Sequence, residues 1–126
     1  MLASVTANEA IERTVEDYFQ GLYRSDMERL RRAFHANARI AGPDDGVLRE
    51  MNLEQFITFA AQQPSAADAG EPLDMRILDV DIAGDVATVK VVDSYIGRRF
   101  IDHLSMVRLD GRWWIYNKLW HVERRL

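Results

Sequence analysis

The residues best placed to do chemistry lie on one hairpin. The stretch "FIDHLSMVRLDGRWWIYN", Phe100 to Asn117, turns at Asp110-Gly111, a dipeptide that accepts the positive φ angles of a tight two-residue loop. Counting outward from that turn pairs Leu109 with Arg112, Met106 with Ile115, Leu104 with Asn117 and Asp102 with Leu119. Side chains alternate across a strand, so Asp102, Leu104 and Met106 share a face with Trp113, Ile115 and Asn117. An aspartic acid on an apolar face loses hydration of its charged form, and its pKa is expected to rise. A neutral carboxyl donates a hydrogen bond, and a donor aimed into a water-poor cavity stabilises negative charge developing on oxygen. Asn117 can both donate and accept, which suits it to orienting a ligand. The other use for Asp102 is structural, as a buried acid bonded to a neighbouring side chain or a water.

Other chemistries find less support. The chain has no cysteine, and its three histidines show no His-x-x-x-His spacing, so no metal site is expected. Neither Gly-x-Gly-x-x-Gly nor a P-loop is present, which predicts a protein that works without a nucleotide cofactor. Ser105 has no partner base on its face except His103, and no nucleophile elbow surrounds it. His35 is expected to end the second helix, where a cationic imidazole suits the C-terminal dipole. Net charge is −4 and the arginines are scattered in pairs, so nucleic acid is not an expected partner. The start, "MLASVTANEAIERTVEDY", has no basic segment leading into an apolar run, and no stretch reaches the ~18 apolar residues of a membrane helix. These features predict a cytoplasmic protein with no membrane partner.

The elements that must position Asp102 follow from periodicity. At 126 residues the chain reads as a single domain spanning its whole length. Ile11, Val15, Tyr18, Phe19 and Leu22 repeat at helical spacing, and Met27, Leu30 and Phe34 form the stripe of a second helix begun by a Ser25–Glu28 capping box. "NARIAGPDDGVLRE" reads as a loop between short extended pieces, and "NLEQFITFAAQQ" as a third helix capped by Asn52. After the turn-rich, mobile-looking connector "PSAADAGEP" the period switches to two, giving four long strands. The fold class is therefore α+β, three N-terminal helices packed on one face of a mainly antiparallel sheet. Asp93 and Tyr95 share a parity with Ala87, Val89 and Val91 and can look into the interior, although near a strand end solvent is an equal alternative. His103, Trp114, Tyr116 and Trp120 fall on the opposite face, an aromatic patch that predicts a homodimer through the sheet.

The element order, "AFHANARI" after the second helix and the terminal "DGRWWIYNKLWH" resemble the NTF2-like superfamily, most nearly the family called putative lumazine-binding, close to the SnoaL-like proteins. The resemblance implies a cone-shaped curved sheet wrapped by helices, with a ligand cavity inside. Within the superfamily, ketosteroid isomerases share the spacing of Tyr18, Leu22 and Asp26 and the run Ile101-Asp102-His103. By that match Tyr18 and Asp102 are an oxyanion-stabilising donor pair, as in the isomerase whose protonated aspartic acid donates to an enolate. The isomerase base, an aspartate before a proline, is absent: the aligned position is Gly42, before Pro43, with Asp44 and Asp45 following. The implied function is binding of a small apolar, oxygen-bearing ligand. Trp113, Phe34, Phe56, Met106 and Tyr95 would line its pocket, and the chemistry would be isomerase, cyclase or dehydratase chemistry. The alternative is a non-catalytic dimeric binding module in which Asp102 is structural.

Overall fold

The protein is described by a computed structural model over residues 6–126; the first five residues, part of the stretch read for a targeting signal, lie outside the described residues. Three helices and six strands follow in order: α1 (Ala7–Arg24), α2 (Met27–Ala33), β1 (Phe34–Asp44), β2 (Val47–Asn52), α3 (Leu53–Ala61), β3 (Met75–Ala83), β4 (Val86–Tyr95), β5 (Arg98–Leu109) and β6 (Arg112–Arg125). The strands form one open, curved sheet in the order β2-β1-β6-β5-β4-β3. Every pairing is antiparallel except β1 with β6. The parallel pair arises because β6 returns beside β1 only after the whole meander has been laid down.

Local chemistry explains where the helices start. Thr6 caps α1 by accepting from the Glu9 amide, and Asn52 with Gln55 forms a complete capping box on α3. The second helix differs from expectation: Asp26, not Ser25, is its cap. Ser25 instead closes α1 in a left-handed conformation, and its hydroxyl donates to carbonyls of the α3 C-terminal turn. A second difference follows directly after. The stretch from Asn37, expected as a loop, belongs to an eleven-residue strand that begins at Phe34, a residue expected on the second helix, and Asp45-Gly46 turns this strand into β2. His35 thus leaves the helix and lies in β1 near the Trp114 and Tyr116 rings.

The core lies between the helices and one sheet face. Ile11, Val15, Tyr18 and Leu22 of α1 meet Phe34, Val89, Leu104, Trp113 and Ile115, all essentially without solvent contact. The Thr14 hydroxyl donates to the Trp113 carbonyl at 3.0 Å, tying α1 to β6. The connector is likewise held: Ala67 N–H donates to the Tyr23 carbonyl, and the Tyr23 hydroxyl donates to the Glu71 carbonyl at 2.6 Å.

Register in the β5–β6 hairpin carries the main consequence for the site. Leu109–Arg112 and Met106–Ile115 pair as expected, but β6 then holds one extra residue, Tyr116. Beyond it Ser105 pairs with Asn117, Leu104 with Lys118 and Asp102 with Trp120. A single-residue bulge exchanges the two faces for everything past it. Asn117, expected beside Asp102, is therefore half-buried on the other side, and Lys118 takes its place in the interior. Trp120, expected on the dimer face, packs inward on Phe100 and against the core.

Candidate functional site

Three strands and α1 bring a polar group together inside this apolar core. Asp93 of β4 and Asp102 of β5 are fully buried, diagonal neighbours on one face, since Asp102 pairs with Val91 and Asp93 with Phe100. Tyr18 projects from α1 and donates to Asp102 Oδ2 at 2.6 Å. Lys118 arrives from β6 with Nζ 3.9 Å from the same oxygen, and it too is buried. The ammonium lies 5.0 Å from the ring centroids of both Tyr18 and Phe56, where their faces attract a cation.

The electrostatics follow from burial. Burial first, and then the neighbouring Asp102 charge, push the Asp93 carboxyl well above the usual carboxylate range, while Lys118 pulls the other way. Both Asp93 oxygens and Asp102 Oδ1 are buried without a hydrogen-bond partner, and a proton kept on Asp93 removes one of two adjacent buried negative charges. Burial also raises the Tyr18 phenol well above its ordinary value, with Asp102 as the next cause, so Tyr18 remains a neutral donor. Tyr95 is pushed up to about 12, by burial and then by Asp93.

Above this cluster is a pocket of about 230 Å³. Ile40, Met51, Phe56, Phe59, Phe100 and Trp120 are its apolar walls. Its polar lining is Asp44, Arg49, Tyr95, Arg98 and Lys118. The volume lies below the ~300 Å³ at which drug-sized sites begin, so it suits one ring or a short fused pair. Lys118 is the polar link between pocket and buried cluster. Tyr18 and Asp102 do not line the pocket; they bond to each other beneath Lys118 rather than converging as two donors on one external point.

The other expected residues divide. Phe56 and Tyr95 face the pocket, whereas Trp113, Phe34 and Met106 are buried in the core and do not. Asn117 is turned away by the bulge. Because β1 extends to Asp44, Ile40, Gly42 and Asp44 share its inner face, and Asp44 brings a carboxylate to the pocket two residues beyond Gly42. It lies 3.7 Å from Arg98 Nη1. Asp45 sits in the turn and does not reach. Gly42 itself is covered by the Trp120 indole: a Cβ there would stand 2.1 Å from Trp120 Cδ2, so no isomerase-type base fits at this position. The connector lines a separate cleft that shares only Tyr95 and Ile96 with this pocket. Reading by alternation missed Lys118. The available signal was the break in alternation at Tyr116-Asn117, after which Lys118, Trp120 and Val122 resume a regular period.

Among the described residues there is no cluster of three metal-ligating side chains and no helix long and apolar enough to cross a membrane. An NTF2-like protein of unknown function from Silicibacter pomeroyi superposes with a TM-score of 0.83 at 28% identity, over 94% of this chain and all of that one. A second, from Shewanella baltica, gives 0.83 at 24% identity, over 95% and 98% of the two chains. An aldolase from a Cladobotryum species, FrzH, is 24% identical over 127 residues, 99% of this chain and 100% of its own length. The profile of the family described as "Putative lumazine-binding" matches residues 6–121, so the chain belongs to that family and carries the NTF2-like fold.

Proposed function

We propose that the pocket binds a small cyclic ketone or related carbonyl compound and that the protein forms its enolate equivalent without a cofactor. One observation carries this reading: a buried lysine lines a mostly apolar pocket, with Asp102 behind it and a single carboxylate, Asp44, in the wall. The carbonyl group lies at Lys118, where positive charge favours electron density moving onto it. Asp44 accepts the proton from the adjacent carbon. Asp102 holds Lys118 in place, and Tyr18 holds Asp102. Isomerisation, cyclisation, dehydration and carbon–carbon bond formation all pass through such an intermediate, and the aldolase relative is consistent with the last of these.

The test is hydrogen–deuterium exchange at the α-carbon of 1-tetralone, followed by NMR, with binding read from tryptophan fluorescence. Wild type is expected to bind the ketone and speed exchange. Asp44→Asn should lose roughly 100-fold or more of that acceleration while still binding. Binding without exchange would make the protein a binding module, in which Tyr18 and Asp102 serve only to satisfy each other. Absence of binding would refute the pocket reading itself.

We further propose that the outer sheet face seats a second copy of the chain. Tyr116 and Leu119 are 42% and 54% exposed there, next to His103 and the half-buried Trp114. With Trp120 turned inward, the bulge substitutes Leu119 in that patch. Light scattering should give a dimer mass that Leu119→Glu halves; a monomeric wild type at micromolar concentration would overturn the proposal.

A further inference from the structure

Lysine is scarce in this chain: Lys90 and Lys118 are the two lysines among sixteen basic residues. Lys90 is exposed on the outer face, opposite His103. Every other ion pair among the described residues uses arginine, and Lys118 with Asp102 is the exception. It is also the only one of these pairs in which both partners are buried. Were a buried positive charge all that the site required, guanidinium would serve it well, with five donors for two carboxyl groups. An amine differs in one respect that matters chemically: it can release its proton and attack a carbonyl carbon.

We propose that Lys118 is a Schiff-base lysine that condenses with the ketone or aldehyde carbonyl of the substrate, an inference that rests on the carbonyl pocket described above. The geometry supplies each participant. Lys118 lines a pocket with large apolar walls, and it is the one amine among the pocket's polar groups, which are otherwise Asp44, Arg49, Tyr95 and Arg98. Asp102 Oδ2, 3.9 Å away, is the acceptor for the ammonium proton, and it is held in place by the Tyr18 hydroxyl. The freed amine adds its lone pair to the carbonyl carbon, forming the C–N bond as the C=O π pair moves to oxygen, which takes one of the two remaining N–H protons and becomes a hydroxyl. The proton on Asp102 returns to that hydroxyl, which departs as water. Ammonium and ketone thereby give iminium and water, with no further reactant. Loss of an α-proton from the iminium to Asp44 yields an enamine, the nucleophile for carbon–carbon bond formation.

Reductive trapping tests this directly. The whole protein is incubated with 2-acetonaphthone and sodium cyanoborohydride, and the adduct is located by peptide mass mapping. Ketone binding is followed separately by tryptophan fluorescence. The expected result is an adduct on Lys118, about tenfold or more above any on Lys90, from which the protein's fold withholds the pocket. Lys118→Arg should bind the ketone, give no adduct and lose α-proton exchange. Ketone binding with no adduct on Lys118, or equal labelling of Lys90, would overturn the Schiff base while leaving the carbonyl pocket standing. So would Lys118→Arg that exchanges as wild type does, since a cation alone would then suffice. Absence of both binding and adduct in wild type would remove the pocket reading and this inference together.

Discussion

Adding one carbon at Gly42 should disturb the pocket from behind. A Cβ built there stands 2.1, 2.4 and 2.5 Å from Cδ2, Cε2 and Cε3 of Trp120. Non-bonded carbons settle at about 3.5–4.0 Å, so Gly42→Ala drives the methyl more than about 1 Å into the face of the indole. The ring cannot easily retreat, because Phe100 meets it edge-on with centroids 5.8 Å apart. Either the indole swings into the pocket or β1 separates locally from β6. Overpacking of this kind costs about 1–3 kcal/mol. For a chain of this size that is a fall in Tm of roughly 5–10 °C. Circular dichroism melts would measure the loss, and tryptophan emission with ketone titration would show whether the pocket has closed. Trp120→Leu should relieve the clash: the double variant should be more stable than the sum of the two single losses by about 1 kcal/mol or more. Gly42→Ala melting with wild type, together with simple additivity to Trp120→Leu, would show that the indole does not hold this position in solution.

Three more predictions concern the buried groups and the turn at the pocket's edge. Tyr18→Phe removes the 2.6 Å bond to a buried carboxylate and should cost about 1.5–3 kcal/mol in urea denaturation; a loss near zero would mean the bond is not formed. Asp93 holds its proton more tightly in the folded chain than in the unfolded one, which releases it from about pH 4 upward. Rising pH therefore favours unfolding until folded Asp93 has also titrated. Asp93→Asn should accordingly raise Tm at neutral pH and lose that advantage as pH falls toward 4, and an advantage independent of pH would refute the assignment. Ile96, at the edge of the pocket, has a φ of +47°, a region that β-branched residues avoid. Ile96→Asn should stabilise the fold by about 0.5–1 kcal/mol while weakening ketone binding, and a destabilised variant would show that the apolar contact outweighs the strain.

Much of this architecture is legible in the sequence because its signals are local. The apolar period of α1, the Asn52 cap, the Asp110-Gly111 turn and the alternation of β3 to β6 each depend on residues within a few positions of one another. The spacing of Tyr18 and the Ile101-Asp102-His103 run pointed to two groups that the fold does bring into contact. Their partners were not legible in the same way. Asp93 was one of two readings of a strand end, and its burial depends on how α1 and β5 close over it. The strand at "FHANARIAGPD" was obscured by its glycine, proline and polar residues, which favour a loop until pairing with β2 and β6 satisfies the backbone.

Lys118 shows most clearly where local reasoning ends. From the turn to Met106–Ile115 the hairpin follows its alternation, and the sequence by itself determines which side chains face inward. At Tyr116 the extra residue exchanges the faces, sending Asn117 outward and bringing Lys118 and Trp120 into the interior. Whether a strand bulges depends on its neighbours on both sides: here β1 runs parallel to β6, and Trp120 has room to lie over a glycine at position 42. Those contacts join residues about eighty positions apart in the chain, and strand periodicity carries no record of them. The sequence thus determined most of the elements and the chemical types available, while tertiary packing decided that Lys118 rather than Asn117 would lie inside, over Asp102.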